Sequence, residues 1–244
     1  LSLRDKEDKE KGDGFVGDDY NGAFIIDKYK NGEFYLVIAS NGQGWDHVSV
    51  SIHRKNGKSI KKYPTFEEMK IAIFCSANEN IDPDFFEMTE ALGRWMAENH
   101  HDLIFGGTNQ GLMNCVAKAV HDGGGRVIGV VPSLVEKGGR MSDYIDVHFP
   151  TDNLADRKSL MIDQCDAVVA LPGGVGSLDE IFCVAASKCI GYHSKKVILY
   201  NMKGFWNALI ALMDDLDRKG MIRGNWHNMI EVANSLDELK ALLK

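Results

Sequence analysis

The sequence predicts an α/β protein built on a Rossmann-like, doubly wound parallel sheet with helices on both faces, preceded by a small β-rich N-terminal extension. From about residue 70 onward, short apolar segments alternate with segments of helical spacing, a pattern typical of a parallel sheet covered on both faces. Before residue 66, apolar and polar residues alternate singly, which favours antiparallel strands. Glycine-rich turns follow two of the apolar segments, at the sheet edge where such folds bind ligands.

Length and composition limit the class of protein. A chain of 244 residues with 44% hydrophobic content can bury a full core without disulfides or metal. Its formal net charge of −7 disfavours broad binding to nucleic acid or membrane surfaces. The five cysteines form no C-x-x-C pair, so neither a disulfide framework nor a zinc cluster is expected. Because no segment approaches the ~20 apolar residues of a membrane span or shows a signal-peptide core, we expect a soluble, cytoplasmic protein.

The N-terminal part divides into two segments that precede the main domain at 67–244. Residues 1–20 hold seven acids and four bases with little apolar content, typical of a solvated charged tail. Residues 21–66 form a small β-rich unit, in which 34–39 and 47–53 are the strongest strand candidates. The segment 65–68 fits either a short helix or a linker.

The main domain has five predicted strands in chain order, at 71–75, 102–105, 126–131, 166–171 and 196–200. Each is almost entirely apolar, as expected for strands buried on both faces. Apolar residues at helical spacing predict helices over 84–100, 110–122, 156–164, 177–190, 204–219 and 235–243.

The first glycine-rich turn follows the strand at 102–105. Gly106, Gly107 and Thr108 end the strand, and Gly111 opens the next helix, which also carries Met113. Glycine lets backbone N–H groups approach an anion closely, and the helix N-terminus favours negative charge. A tight strand–helix turn explains the same pattern without any ligand.

The second glycine-rich turn runs from Pro172 to Glu180. Gly173, Gly174 and Gly176 would expose successive N–H donors, and the Ser177 hydroxyl adds another, which together fit a phosphate cradle. The spacing matches neither a Walker A loop nor a dinucleotide fingerprint. Glu180 lies about one turn into the helix and can face the pocket, or it can simply complement the helix dipole.

Two adjacent bases, Arg157 and Lys158, begin the helix predicted at 156–164. Neighbouring residues cannot share one helix face, so one base can face the pocket while the other faces solvent. A guanidinium in that position can hold a phosphate or sugar oxygen in a forked geometry. A solvated, charged helix start is the alternative.

Together these segments resemble the Lonely Guy (LOG) family, often described as "possible lysine decarboxylase", whose signature is an Arg-Lys pair followed by Pro-Gly-Gly-x-Gly-Thr-x-x-Glu. Here the pair is Arg157-Lys158 and the loop is 172–180. Further matches, in the same order as in the family, are Phe74-Cys75-Ser76, Gly106-Gly107, Gly111-Leu112-Met113, 119–124 and 129–132. The likeness extends from about residue 70 to 243 and leaves the residues before 66 outside it.

The resemblance implies an enzyme that hydrolyses the N-glycosidic bond of a nucleoside 5′-monophosphate, AMP-like or a cytokinin riboside monophosphate, to free base and ribose 5-phosphate. It places the catalytic roles on Arg157 and Glu180. It places the phosphate-binding loop on Gly173, Gly174, Gly176 and Ser177. Additional phosphate contacts are Gly107 and Thr108, with supporting roles for Lys158, Ser76 and Met113. It implies no metal or organic cofactor, a small-molecule nucleotide as substrate, and a homodimer or larger homo-oligomer.

Several positions depart from the family pattern. Ser177 replaces the usual threonine and keeps the hydroxyl, Val175 stands where plant members often have tyrosine, and Asp179 replaces a glutamate. These changes bear on the cytokinin preference more than on the reaction. The main alternative is a non-catalytic nucleotide sensor or carrier with the same sheet and loops, although such a protein has no need of a carboxylate beside the sugar. A pyridoxal-type decarboxylase would need a Schiff-base lysine, and Lys158 is the only lysine inside the motifs.

Overall fold

The computed structural model describes residues 23–29, 34–40, 47–54, 59–62 and 66–244. The chain divides into two compact units, with the boundary between Glu68 and Met69. The charged tail expected at 1–20 lies outside the described residues, and the domain limits 21–66 and 67–244 stay predictions.

The first unit is an antiparallel sheet. Its strands are β1 (Ala23–Tyr29), β2 (Phe34–Ser40), β3 (His47–Arg54), β4 (Ser59–Lys62) and β5 (Phe66–Glu67). The order is β1-β2-β3-β4, and β5 pairs with β3. The short helix considered at 65–68 is therefore wrong for residues 66 and 67, because Phe66 pairs with Val48 in a β ladder.

The second unit is a seven-stranded sheet in which every neighbouring pair is parallel. Its strands are β6 (Lys70–Phe74), β7 (Asp102–Phe105), β8 (Val127–Pro132), β9 (Val147–Thr151), β10 (Ala167–Ala170), β11 (Lys196–Tyr200) and β12 (Glu231–Ala233). Its helices are α1 (Pro83–Glu98), α2 (Gly111–Asp122), α3 (Ser133–Lys137), α4 (Leu154–Gln164), α5 (Val175–Cys189), α6 (Asn207–Arg218) and α7 (Leu236–Leu242).

Two apolar layers enclose this sheet. Buried residues of α1, α2 and α7 pack on one face, and buried residues of α4, α5 and α6 pack on the other. The predicted doubly wound α/β class is therefore confirmed. The strands β9 and β12 were not predicted, because both lie at sheet edges and are only partly buried. Pro150 and His148 also interrupt the apolar run of β9.

The strand order places a crevice at the centre of the sheet. The order is β12-β11-β10-β6-β7-β8-β9, so the chain starts at β6, winds outward to β9 and then crosses to β10 on the other side of β6. Ligands bind such sheets at this reversal, outside the carboxyl ends of the strands. There Ser76 N donates a hydrogen bond to Pro172 O over 3.0 Å and joins the two loops.

The N-terminus of α4 is fixed by a side chain. Asn153 accepts hydrogen bonds through its side-chain oxygen from the amides of Ala155 and Asp156, each over 2.9 Å. Such a cap satisfies amides that have no partner within the helix. The helix consequently begins at Leu154, two residues before the predicted start, which places Arg157 and Lys158 in its first two turns.

Candidate active site

The loop after β10 leaves the N-terminus of α5 open. Gly174 is the N-cap residue, and no side chain caps the helix. A Cβ added at Gly174 or Gly176 would meet nothing within 4 Å, whereas a Cβ at Gly173 would overlap the Ser177 hydroxyl. Steric demand therefore explains Gly173, but not Gly174 or Gly176. Amides without a side-chain cap at a helix N-terminus are suited to bind an anion.

The loop after β7 is held by the protein itself. Gly107 has a φ of +80°, and a side chain there would overlap Val131. Its carbonyl accepts a hydrogen bond from Ser142 N over 2.9 Å, and Thr108 forms a β-bridge with Met141. Thus a tight turn accounts for Gly107, and phosphate contacts from Gly107 and Thr108 stay a prediction.

Arg157 and Glu180 meet across the two helices. The Arg157 guanidinium donates a hydrogen bond from Nη2 to Glu180 Oε1, and the two side chains are only 14% and 7% exposed. The α4 and α5 helices both follow parallel strands and pack on one sheet face, so their N-termini meet at the carboxyl edge. The pair that the spacing left as two separate candidates is therefore one buried ion pair.

Two neighbours make room for the guanidinium. A Cβ at Gly106 would lie 2.7 Å from Arg157 Nη1 and 2.6 Å from Met113 Cε. Gly106 thus allows Arg157 to pass over the end of β7, with Met113 beside it. Arg157 Nε is buried without a hydrogen-bond partner among the described residues. Because a buried donor without a partner costs free energy, this N–H is suited to a ligand oxygen.

The pKa of the Glu180 carboxyl lies close to neutral pH. Burial raises its pKa from 4.5 to about 7, while the charges of Arg157 and Lys158 oppose the increase. A carboxyl whose pKa lies near the working pH can act as a general base. Cys75 lies close to this group, since burial and then the Glu180 charge raise the pKa of its thiol. In the sequence, Cys75 is singled out only as part of the Phe74-Cys75-Ser76 match to the family.

The remaining candidates occupy positions around this pair. Lys158 Nζ donates to Asp179 Oδ2 over 2.6 Å. The Ser76 hydroxyl accepts from Asn78 N over 3.0 Å and so shapes the loop after β6. Thr151, at the end of β9, is 8% exposed and its hydroxyl has no partner within the described part of the chain.

Among the described residues, no group of three or more His, Cys, Asp or Glu side chains could hold a metal ion. Within the same residues, no helix is both long and apolar enough to cross a membrane.

These features define a class: a doubly wound α/β protein with a buried arginine–carboxylate pair and an uncapped helix N-terminus at its topological switch point. Residues 113–243 match the family model described as "Possible lysine decarboxylase". The chain belongs to this family, in which the sequence analysis placed it as a Lonely Guy protein.

Relatives with known names are similar to this chain over most of their length. A probable cytokinin riboside 5′-monophosphate phosphoribohydrolase from Oryza sativa subsp. japonica is 34% identical over 169 residues, which cover 69% of this chain and 74% of the relative. A cytokinin riboside 5′-monophosphate phosphoribohydrolase from Arabidopsis thaliana is 34% identical over 177 residues, covering 70% and 78%.

Solved structures share the fold. A molybdenum cofactor carrier protein from Chlamydomonas reinhardtii has a TM-score of 0.55 at 22% identity, covering 72% of this chain and 98% of that one. A molybdenum cofactor binding protein from Rippkaea orientalis has a TM-score of 0.54 at 20% identity, covering 71% and 94%. At these identities the likeness supports the Rossmann-like fold and nothing about the ligand.

The raised pKa of Glu180 predicts that the stability of the fold depends on pH. The folded chain holds this proton more tightly than the unfolded chain, so the stabilising contribution is full below about pH 4.5 and is lost as the pH rises through about 7. Relative to Glu180→Gln, wild-type protein should lose on the order of 3 kcal/mol of unfolding free energy between pH 4.5 and pH 8. Urea unfolding of both proteins across this range checks the trend, and a difference that stays constant with pH contradicts it.

Proposed function

We propose that this protein hydrolyses the N-glycosidic bond of a nucleoside 5′-monophosphate and releases free base and ribose 5-phosphate. The observation that carries the proposal is the buried pair of Arg157 and Glu180 beside the uncapped N-terminus of α5. The two phosphoribohydrolases from Oryza and Arabidopsis support it, because the chain covers about three-quarters of each at 34% identity.

The phosphate is assigned to the start of α5. The amides of Gly174, Gly176 and Ser177 lie in the loop and first turn of this helix, and the Ser177 side chain is buried at the same turn. Backbone N–H groups and the helix dipole favour a dianion there. A phosphate in this position directs the ribose toward Glu180, one turn further along α5. Gly107 and Thr108, at the end of β7, are the other proposed phosphate contacts.

The chemistry is assigned to Glu180 and Arg157. As the bond from C1′ to the base nitrogen breaks, its electron pair leaves with the base and positive charge builds on the ribose, which a carboxylate beside C1′ stabilises. Glu180 accepts a proton from water as the water oxygen bonds to C1′. The leaving base nitrogen takes up a proton from solvent, to which Glu180 later returns its own. Arg157 already uses Nη2 on Glu180. Its free Nε is available for a phosphate, sugar or base oxygen of the nucleotide.

Lysine decarboxylation does not fit the site residues. A pyridoxal cofactor would require a lysine that loses its proton to form a Schiff base. The hydrogen bond that Lys158 donates to Asp179 raises the pKa of Lys158, so this lysine stays protonated. The Lys158 Nζ lies 2.6 Å from Asp179 Oδ2 and is engaged in this ion pair, so it is not a free amine that could form a Schiff base. We therefore assign Lys158 to the architecture of the site.

The proposal includes a homodimer or larger assembly in the cytoplasm. Exposed large apolar side chains along α5 favour self-association, since Val175 is 84% exposed and Ile190 is 69% exposed. Isolated apolar residues on a surface are common, but Phe182 lies on the same helix at 40% exposure and extends the series.

Replacing the carboxylate tests the reaction. Glu180→Gln keeps the size and a hydrogen-bond acceptor for Arg157 but removes the base, so turnover should fall by ~10²–10⁴-fold. Wild-type kcat/KM should rise with pH through a midpoint near 7, as Glu180 loses its proton. Chromatography of free base from a panel of purine, pyrimidine and cytokinin nucleoside monophosphates measures both.

Asp179→Asn is not a suitable control, because Asp179 contacts Lys158. Glu90→Gln, on the exposed side of α1, is a suitable control, and its turnover should equal that of the wild type. Near-normal base release by Glu180→Gln would contradict the assignment. Tight nucleotide binding by wild-type protein with no base released from any substrate would instead indicate a sensor or carrier.

A matched pair of glycine variants tests the phosphate loop. Gly176→Ala adds a methyl group where nothing lies within 4 Å, so the melting temperature should not fall. The same methyl would obstruct a phosphate at the helix start, and the affinity for ribose 5-phosphate should drop about tenfold or more, or ~1.4 kcal/mol.

Gly173→Ala is the partner variant, because its methyl overlaps the Ser177 hydroxyl and should lower the melting temperature as well as the affinity. Calorimetric titration and thermal melting measure both quantities. Unchanged ribose 5-phosphate affinity in Gly176→Ala would place the phosphate elsewhere.

A further inference from the structure

A second ion pair lies beside the first. Arg157 and Lys158 are consecutive on α4, and Glu180 and Asp179 are consecutive on α5. Arg157 pairs with Glu180, and Lys158 pairs with Asp179. The second pair is asymmetric, because the Lys158 side chain is 16% exposed while that of Asp179 is 54% exposed.

We propose that the Lys158–Asp179 ion pair is an electrostatic positioning device that sets the protonation state of Glu180, with the two members acting in opposite directions. The proposal concerns the carboxyl itself; its consequence for catalysis rests on the proposed function.

The two ion pairs cross the same junction between α4 and α5, one residue apart on each helix. Asp179 therefore holds Lys158 Nζ beside the Arg157–Glu180 pair. The buried stem of Lys158 keeps a positive charge near a carboxyl that has little water around it, and charges interact strongly where water is excluded.

Charged and titratable groups on three elements lie around Glu180. Arg157 and Lys158 on α4 act on it through their charges, Asp179 adjoins it on α5, and the Cys75 thiol at the end of β6 lies near enough to be affected by its charge. The positive charges of Arg157 and Lys158 lower its pKa, and the Asp179 charge raises it. Asp179 thus repels the Glu180 carboxylate directly, and its pairing with Lys158 also offsets the positive charge of that lysine, so both effects raise the pKa of Glu180.

Two charge-removing variants separate this role from a mechanical one. Lys158→Met keeps the buried stem and removes the positive charge, so the pKa of Glu180 should rise by about 0.5–1 unit. Asp179→Asn removes the negative charge and frees Lys158 to approach Glu180, so the pKa should fall by a similar amount. The double variant should return close to the wild-type value.

The direct measurement is the ¹³C carboxyl resonance of Glu180, followed against pH in protein labelled with ¹³C-glutamate and assigned with Glu180→Gln. The acid limb of kcat/KM is the second readout. Lys219→Met is the matched control: it breaks an exposed pair with Asp215 at the C-terminal end of α6 and should leave the resonance unchanged. Thermal melting verifies that each variant is folded.

Opposite shifts in the two single variants, by resonance and by acid limb, are the expected result. If the pair served only to join the helices, both variants would shift the Glu180 titration in the same direction or not at all, and the proposal would be overturned. Opposite resonance shifts without base release from any nucleotide would uphold the electrostatic role and count against the proposed function alone.

Discussion

A buried ion pair between Arg157 and Glu180 is the interaction on which the site depends. It joins α4 to α5 at the carboxyl edge of the sheet, where the chain reverses its winding beside β6. It also explains Gly106, whose missing side chain leaves space for the guanidinium. Without Arg157, a carboxyl as buried as Glu180 would be held still more firmly in its neutral form.

This arrangement places competing demands on one carboxyl. Burial raises the pKa of Glu180, and the positive charges of Arg157 and Lys158 on α4 oppose this increase. The pKa that results is about 7. An apolar site alone would keep the acid protonated and inactive as a base, and a fully solvated one would make it a weak base. The cost is stability at higher pH, which a protein accepts at a functional site where the charged form is needed.

Much of the fold was predictable because its strands are buried on both faces. The five central strands were found from continuous apolar runs, and Asp102–Phe105 and Lys196–Tyr200 have the predicted limits. The edge strands β9 and β12 lack such runs, and their pairing depends on neighbours distant in sequence. In the first unit, β1 was missed because a register shift between Ile25 and Asp27 interrupts its alternation.

The sequence selects the candidate site as a set of residues, but it does not predict the geometry of that set. The family-like motif selects Arg157 and Glu180, yet spacing along the chain cannot show that they contact each other across 23 positions. Spacing also cannot distinguish Gly107 from Gly176. The turn requires a glycine at 107, whereas a side chain at 176 would meet nothing within 4 Å. The structure, not the sequence, shows that the Cys75 thiol is buried near Glu180. It also shows that the Thr151 hydroxyl is buried without a partner among the described residues.

The most direct test of the central claim is a crystal structure of the Glu180→Gln protein with AMP bound. The phosphate oxygens should lie within hydrogen-bond distance of the amides at the start of α5, Arg157 Nε should donate to the nucleotide, and the residue 180 side chain should face C1′. AMP bound with its ribose away from residue 180, or with its phosphate away from α5, would contradict the account.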